Sequence, residues 1–204
     1  MKRNRLLMTG CIVGLFCASI GVQPRAEEPV PLPQAHSHND YTRERPLFDA
    51  LDLGFCSVEA DIFLVDGALL VAHDLKDCEP EKTLQSMYLD PLLEWVRAKQ
   101  GRVYPDGPDL TLLIDIKSEG ESTYAALREA LKPYAEMLTV FTDDSTETRA
   151  VTVIISGNVP HQMIYDESPR LAAADGRPHD LGSGVNRHRM PMISARWSSV
   201  FRWT

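Results

Sequence analysis

The chain has 204 residues, 44% hydrophobic and 25% charged, with a formal net charge of −8. Those proportions fit one good-sized globular domain and exclude disordered and collagen-like classes. The acidic balance argues against nucleic acid held on a basic face and against docking on anionic lipid.

Residues 1–26 open with Lys2, Arg3 and Arg5, continue with an apolar run from Leu6 to Val22, and end in small and proline-containing residues. This layout reads as a secretory signal peptide with Ala26 as the cut site, and implies a secreted or periplasmic protein. The alternative is an uncleaved membrane anchor. Cleavage would remove four basic residues and no acidic ones, taking the net charge from −8 to −12 and leaving no stable membrane span. Of the four cysteines only Cys56 and Cys78 would remain, either as two thiols or as one disulfide. Residues 27–33, EEPVPLP, read as a proline-stiffened linker, and residues 34–204 as one domain.

Along that domain, strand-like and helix-like segments alternate. "QAHSH" at 34–38 reads as a first extended segment, and 44–53 as a helix, with Pro46 early and Gly54 after its end. "FCSVEADIFLV" at 55–65 is strand-like, Asp66-Gly67 is a tight-turn signal, and 68–72 is a returning strand. Leu84, Tyr88, Leu92 and Trp95 predict a helix over 83–99. Residues 109–117 predict a strand, 121–139 a helix on Tyr124, Leu127, Leu131, Tyr134 and Leu138, and 150–156 a buried strand closed by Gly157-Asn158. "RLAAAD" and "PMISAR" are weaker strand candidates, and no helix is expected at the final "SSVFRWT". The alternation predicts an α/β fold with parallel strands. Only five or six strands suit a barrel, which usually needs about 250 residues, so the barrel reads as cut short at its C-terminus.

Two of the strands carry charge on one face. Side chains alternate along a strand, so Glu59 and Asp61 point one way while Val58, Ala60 and Ile62 point the other. Asp115 and Lys117 repeat the arrangement against Ile114 and Ile116. Three converging carboxylates would raise one another's pKa, and burying them unpaired costs several kcal/mol or more. One divalent cation removes that cost, and oxygen ligands suit Mg²⁺ or Ca²⁺. His36 and His38 share a face if their segment is extended, and His73 ends the strand "ALLVA". Imidazole beside carboxylates suits acid–base work. A strict two-residue hairpin at Asp66-Gly67 would put His73 opposite Ala60, facing away from the carboxylates. For His73 to join them the turn must be longer, or carry a bulge, or the strand must end before His73. His161, His179 and His188 lie in polar, loop-like surroundings and read as surface residues. "RLAAADGRPHDLGSG" reads as a glycine- and charge-rich loop over the site, with no ligand indicated.

Together, "AHSHNDY", "SVEADIF", "LLVAHD" and "LLIDIK" resemble the phosphatidylinositol phospholipase C-like and glycerophosphodiester phosphodiesterase superfamily, with sphingomyelinase D-like motif spacing. The resemblance implies a TIM-type (β/α)₈ barrel with one divalent cation. It implies Glu59, Asp61 and Asp115 as metal ligands, His73 with His36 or His38 as general acid and base, and Asn39 and Lys117 on the phosphate. His36 fits the motif better than His38, because Asn39 follows it by three residues. The substrate would be a small phosphodiester or one derived from phospholipid. The His-Arg-Gly signature and the Glu-Asn-Thr element of glycerophosphodiesterases are absent, which puts a glycerol substrate in doubt. The rivals are another metal-dependent hydrolase, such as a phosphomonoesterase, and an inactive exported binding domain.

Overall fold

The computed structural model describes residues 28–200. The signal-peptide reading of residues 1–26 therefore lies outside the described residues. In chain order the elements are β1 (Leu32–Ser37), α1 (Phe48–Asp52), β2 (Phe55–Val65), β3 (Ala68–Val71), α2 (Asp90–Ala98) and β4 (Leu110–Ile116). There follow α3 (Gly120–Leu131), β5 (Val140–Phe141), β6 (Thr146–Glu147), β7 (Val151–Gly157), α4 (His161–Tyr165), β8 (Ala172–Gly176), β9 (Met192–Ile193) and α5 (Trp197–Val200).

The main sheet has the order β1-β2-β4-β7-β8-β9, every neighbouring pair parallel, with β3 hanging from β2 as an antiparallel hairpin. Spatial order follows chain order without reversal. A doubly wound sheet would reverse at a switch point and place helices on both faces. Here Val58, Ala60, Ile62, Leu112, Ile114, Ile116, Val153, Ile155, Ala172 and Ala174 join one core with Leu51, Leu92, Val96, Leu127, Leu131 and Ile164 from the crossovers. The helices cover one face, and the sheet curls as a parallel half-barrel. On its other face a smaller cluster forms from Leu113, Phe141, Ile154 and Ala173. Burial on both faces explains why the centres of β4 and β7, Leu112–Ile114 and Val153–Ile155, are apolar at successive positions.

Several boundaries depart from expectation, each for a local reason. The first strand starts inside the proposed linker, at Leu32, because an edge strand tolerates Pro33. The helix expected over 83–99 is regular only from Asp90. Pro91 has no N–H to give the preceding turn, and Gln85–Leu89 widens into a π-turn. The helix expected to Leu138 stops at Leu131, because the Pro133 ring crowds the turn behind it; a 3₁₀ turn over Lys132–Tyr134 follows. Its start is capped by the Glu119 carboxylate, which accepts from the Glu121 and Ser122 amides. The tail expected to be without helix forms one turn, α5, and the hairpin of β5 and β6 was not foreseen. Cys56 and Cys78 are free thiols, so the disulfide alternative is set aside.

Candidate metal centre

The register of the sheet brings the charged positions together. In β2 and β4, Glu59 lies beside Leu113 and Asp61 beside Asp115; Asp115 in turn lies beside Ser156 of β7. Leu113, Ile154 and Ala173 form an apolar layer, and Asp61, Asp115 and Ser156 form the polar layer above it, at the C-terminal ends of the strands. That end of a singly wound parallel sheet is where the connecting loops converge.

One carboxylate oxygen from each of Glu59, Asp61 and Asp115 lies within 4.8 Å of the other two. The Asp61 side chain is only 1% exposed. Its Oδ2 accepts from the Tyr41 hydroxyl at 2.8 Å and lies 3.1 Å from the Lys117 ammonium and 3.0 Å from His73 Nδ1. Its Oδ1 is buried with no partner among the described residues. A buried carboxylate oxygen left unbonded is costly, and here it belongs to a cluster of hard oxygen donors. Lys117 also reaches Asp115 Oδ2 at 3.4 Å, and one ammonium against three carboxylates leaves a net charge of about −2. The donor set, the orphaned oxygen and the uncompensated charge all fit a divalent cation. Burial raises the Asp115 pKa more than Lys117 lowers it, and Asp61 adds to the rise. For Lys117 the two carboxylates outweigh burial, and its pKa is raised.

The "HSHNDY" segment wraps the β1–β2 side of this cluster. His36 pairs in register with Ser57, and its Nδ1 lies 2.8 Å from Ser57 Oγ. The ring keeps solvent contact, yet desolvation lowers its pKa against the pull of Glu59. His38 Nε2 stands 3.5 Å from Glu59 Oε2. Asn39 takes a left-handed backbone, φ 49°, which asparagine tolerates better than most residues. That turn aims its backbone N–H, rather than its side chain, at Glu59 Oε2, 2.9 Å away. Asp40 is wholly buried and structural: it accepts from Ser37 Oγ, the Leu47 amide and the Tyr88 hydroxyl. Tyr41, which closes the "AHSHNDY" motif, has no role expected from the sequence. Its hydroxyl joins Asp61 and His73, at 2.8 and 3.3 Å, and burial followed by Asp61 keeps it protonated.

His73 resolves the geometric difficulty in a specific way. Val65 pairs with Ala68 and Ile62 with Val71, so Asp66-Gly67 is a strict two-residue turn, both residues at positive φ. The strand ends at Val71, with one further bond from the Ala72 amide to the Asp61 carbonyl, and His73 is free of the alternation. Its Nδ1 turns to Asp61, while the side chain stays 60% exposed. His161 and His179 are exposed as expected; His188 is half-buried, with its Nδ1 on Thr146 Oγ1 at 2.8 Å.

Gly157, at the end of β7, has φ +71° and abuts the Asp115 carboxylate: a Cβ there would fall on Asp115 Oδ1 and on the Ile116 carbonyl. Gly157→Ala should lose about 1–2 kcal/mol of stability from the left-handed backbone alone. It should also displace Asp115 and weaken cation binding, read by urea unfolding and calorimetric metal titration. An alanine variant binding metal as tightly as the wild type would show that Asp115 does not need this space.

A family model described as the AIM6-like phosphodiesterase domain matches residues 26–172. The curated relatives named altered inheritance of mitochondria protein 6 include those of Kluyveromyces lactis, 33% identical over 81% of this chain and 48% of its own length, and Lachancea thermotolerans, 40% identical over 74% and 42%. The Arthroderma benhamiae homologue is 33% identical over 74% of this chain and 55% of its own length. The chain thus spans about half the length of the curated relatives it matches. No solved structure matches it significantly. The relatives' names point to mitochondria, which overturns the expectation of a secreted or periplasmic protein. A basic, acid-free leader is common to secretory and organellar targeting segments, so that layout does not separate the destinations. Among the described residues no helix is long and apolar enough to cross a membrane. The chain belongs to the AIM6-like phosphodiesterase domain family, a coarser assignment than the phospholipase C-like superfamily expected from the motifs.

Proposed function

We propose that the protein is a metal-dependent phosphoric diester hydrolase whose half-barrel sheet is part of a TIM-type (β/α)₈ barrel. The observation that carries this reading is the buried, partnerless Asp61 Oδ1 within the cluster of Glu59, Asp61 and Asp115. Mg²⁺ or Ca²⁺ held there would neutralise charge on a non-bridging phosphate oxygen. The Asp61 carboxylate fixes a proton on His73 Nδ1, which leaves Nε2 to take or give a proton at the phosphate. His36 or His38 supplies the second proton-transfer group from the β1 side, and we favour His36, whose ring is braced by Ser57. Lys117 and Asn39 bind the phosphate, Lys117 by charge. Substrates are small phosphodiesters or fragments of phospholipid. Family membership supports the phosphodiester bond as the one attacked.

Hydrolysis of bis-p-nitrophenyl phosphate and of p-nitrophenyl phosphate, each with Mg²⁺, Ca²⁺ or chelator, tests the reading. The diester should be cleaved at least about tenfold faster than the monoester, and only with metal. Faster monoester cleavage, or full activity in chelator, would overturn it.

A further inference from the structure

The layer that holds Asp61 and Asp115 continues across the sheet. Ser156 of β7 follows Asp115, and Asp175 of β8 follows Ser156, since Ile155 pairs with Ala174. Asp175-Gly176-Arg177 ends β8 as Asp115-Ile116-Lys117 ends β4: a carboxylate on the inner face, then a basic residue two positions on. Asp175 is 0% exposed at its side chain. Unlike Asp61, it has no free oxygen to offer. Oδ1 accepts from the Ser194 amide at 3.1 Å; Oδ2 accepts from Ser156 Oγ at 3.1 Å, from Ser194 Oγ at 2.5 Å, and from Arg177 Nη1. Arg177 also donates from Nη1 to Ser194 Oγ at 2.7 Å and to the Gly176 carbonyl at 3.1 Å, and from Nη2 to Ser156 Oγ at 3.1 Å.

A buried carboxylate and two serines therefore hold one guanidinium in place, while its side chain remains 40% exposed. Burying a carboxylate is expensive, and a plain surface loop does not need it. The guanidinium bonds Ser156, one strand over from Asp115, a spacing of about 4.8 Å. Tyr41 and His73 approach the carboxylates from β1 and from the β2–β3 hairpin, so Arg177 stands on the far side. A pre-oriented planar fork is the side chain best suited to phosphate oxygens.

We propose that Arg177 is a second phosphate-binding residue, which takes an anionic phosphate oxygen from the side of the metal centre opposite His73, with Asp175 as its positioning residue. The inference rests on the phosphodiesterase reading. The test is calorimetric titration of inorganic phosphate into Mg²⁺-supplemented protein, together with steady-state hydrolysis of bis-p-nitrophenyl phosphate. The proteins are the wild type, R177Q, R177K and the double variant D175N/R177Q, which leaves no buried unpaired charge. R177Q and the double variant should bind phosphate at least about tenfold more weakly, the loss of one charge-assisted contact. KM should rise by a similar factor while kcat changes less than about threefold, and R177K should fall between. A double variant that regains wild-type affinity would reduce Arg177 to a counter-ion of Asp175 and overturn the proposal. So would R177Q binding phosphate as the wild type does, or a wild type that binds none. A wild type that binds phosphate through Arg177 but cleaves no diester would instead sink the phosphodiesterase reading alone.

Discussion

Adding Mg²⁺ or Ca²⁺ to chelator-treated protein should raise its melting temperature by about 5–10 °C. A ligand at a hundred times its Kd stabilises the native state by about 2.7 kcal/mol. In a chain of this size each kcal/mol is worth about 2–4 °C. The site that responds is the one where Glu59, Asp61 and Asp115 converge and Asp61 Oδ1 has no partner. Asp115→Asn should reduce the shift to under about 2 °C. In chelator the same variant should melt no lower than the wild type. Burial, reinforced by Asp61 and against the pull of Lys117, raises the Asp115 pKa, so the folded state disfavours its charge. The amide removes that charge at little change of shape. Function and apo stability are thus expected to move in opposite directions, as they do where a site stores electrostatic strain. Identical melting with and without chelator, or a D115N protein that unfolds far below wild type in chelator, would mean that these carboxylates are satisfied without a cation.

The charged layer was legible because strand alternation is rigid: once β2 and β4 are strands, Glu59 and Asp61 share a face and so do Asp115 and Lys117. Register is not in the pattern. That Asp61 meets Asp115, rather than residues one layer apart, follows from how the crossover through α2 packs on the core. His73 shows the limit most clearly. The hairpin is as tight as the Asp66-Gly67 signal implies, but the strand breaks at Val71, one residue before the apolar run ends at Ala72. Tyr41 was hidden because it sits among polar residues, between Asp40 and Thr42, where no periodicity directs its side chain; only the fold sets its hydroxyl on Asp61. Arg177 was hidden for a different reason. "RLAAAD" is only a weak strand candidate, and the longer "RLAAADGRPHDLGSG" reads as a loop; residues Ala172–Gly176 of it are instead β8, and only its pairing with β7 places Asp175 in line with Asp115. Helix ends were missed where proline acted, at Pro91 and Pro133, which removes a donor without altering the apolar spacing.

His73→Ala should lower turnover of a phosphodiester with an alkyl leaving group by at least about a hundredfold, the lower end of what one acid–base group contributes. Its melting temperature should stay within about 2 °C of wild type, since the ring is 60% exposed and fills no core space. The leaving group then separates the two roles open to the imidazole. If His73 Nε2 protonates the departing oxygen, a diester of p-nitrophenol should be almost indifferent to the mutation, because that product is stable as an anion and needs no proton. If His73 deprotonates the attacking water, both substrates should suffer alike, and the acid falls to His36, whose lowered pKa would otherwise suit it to the base role. A loss under threefold on the alkyl diester would remove His73 from the reaction. The Asp61 contact would then be a structural bond at the mouth of the hairpin, with Tyr41 and His73 serving only to hold the carboxylate still.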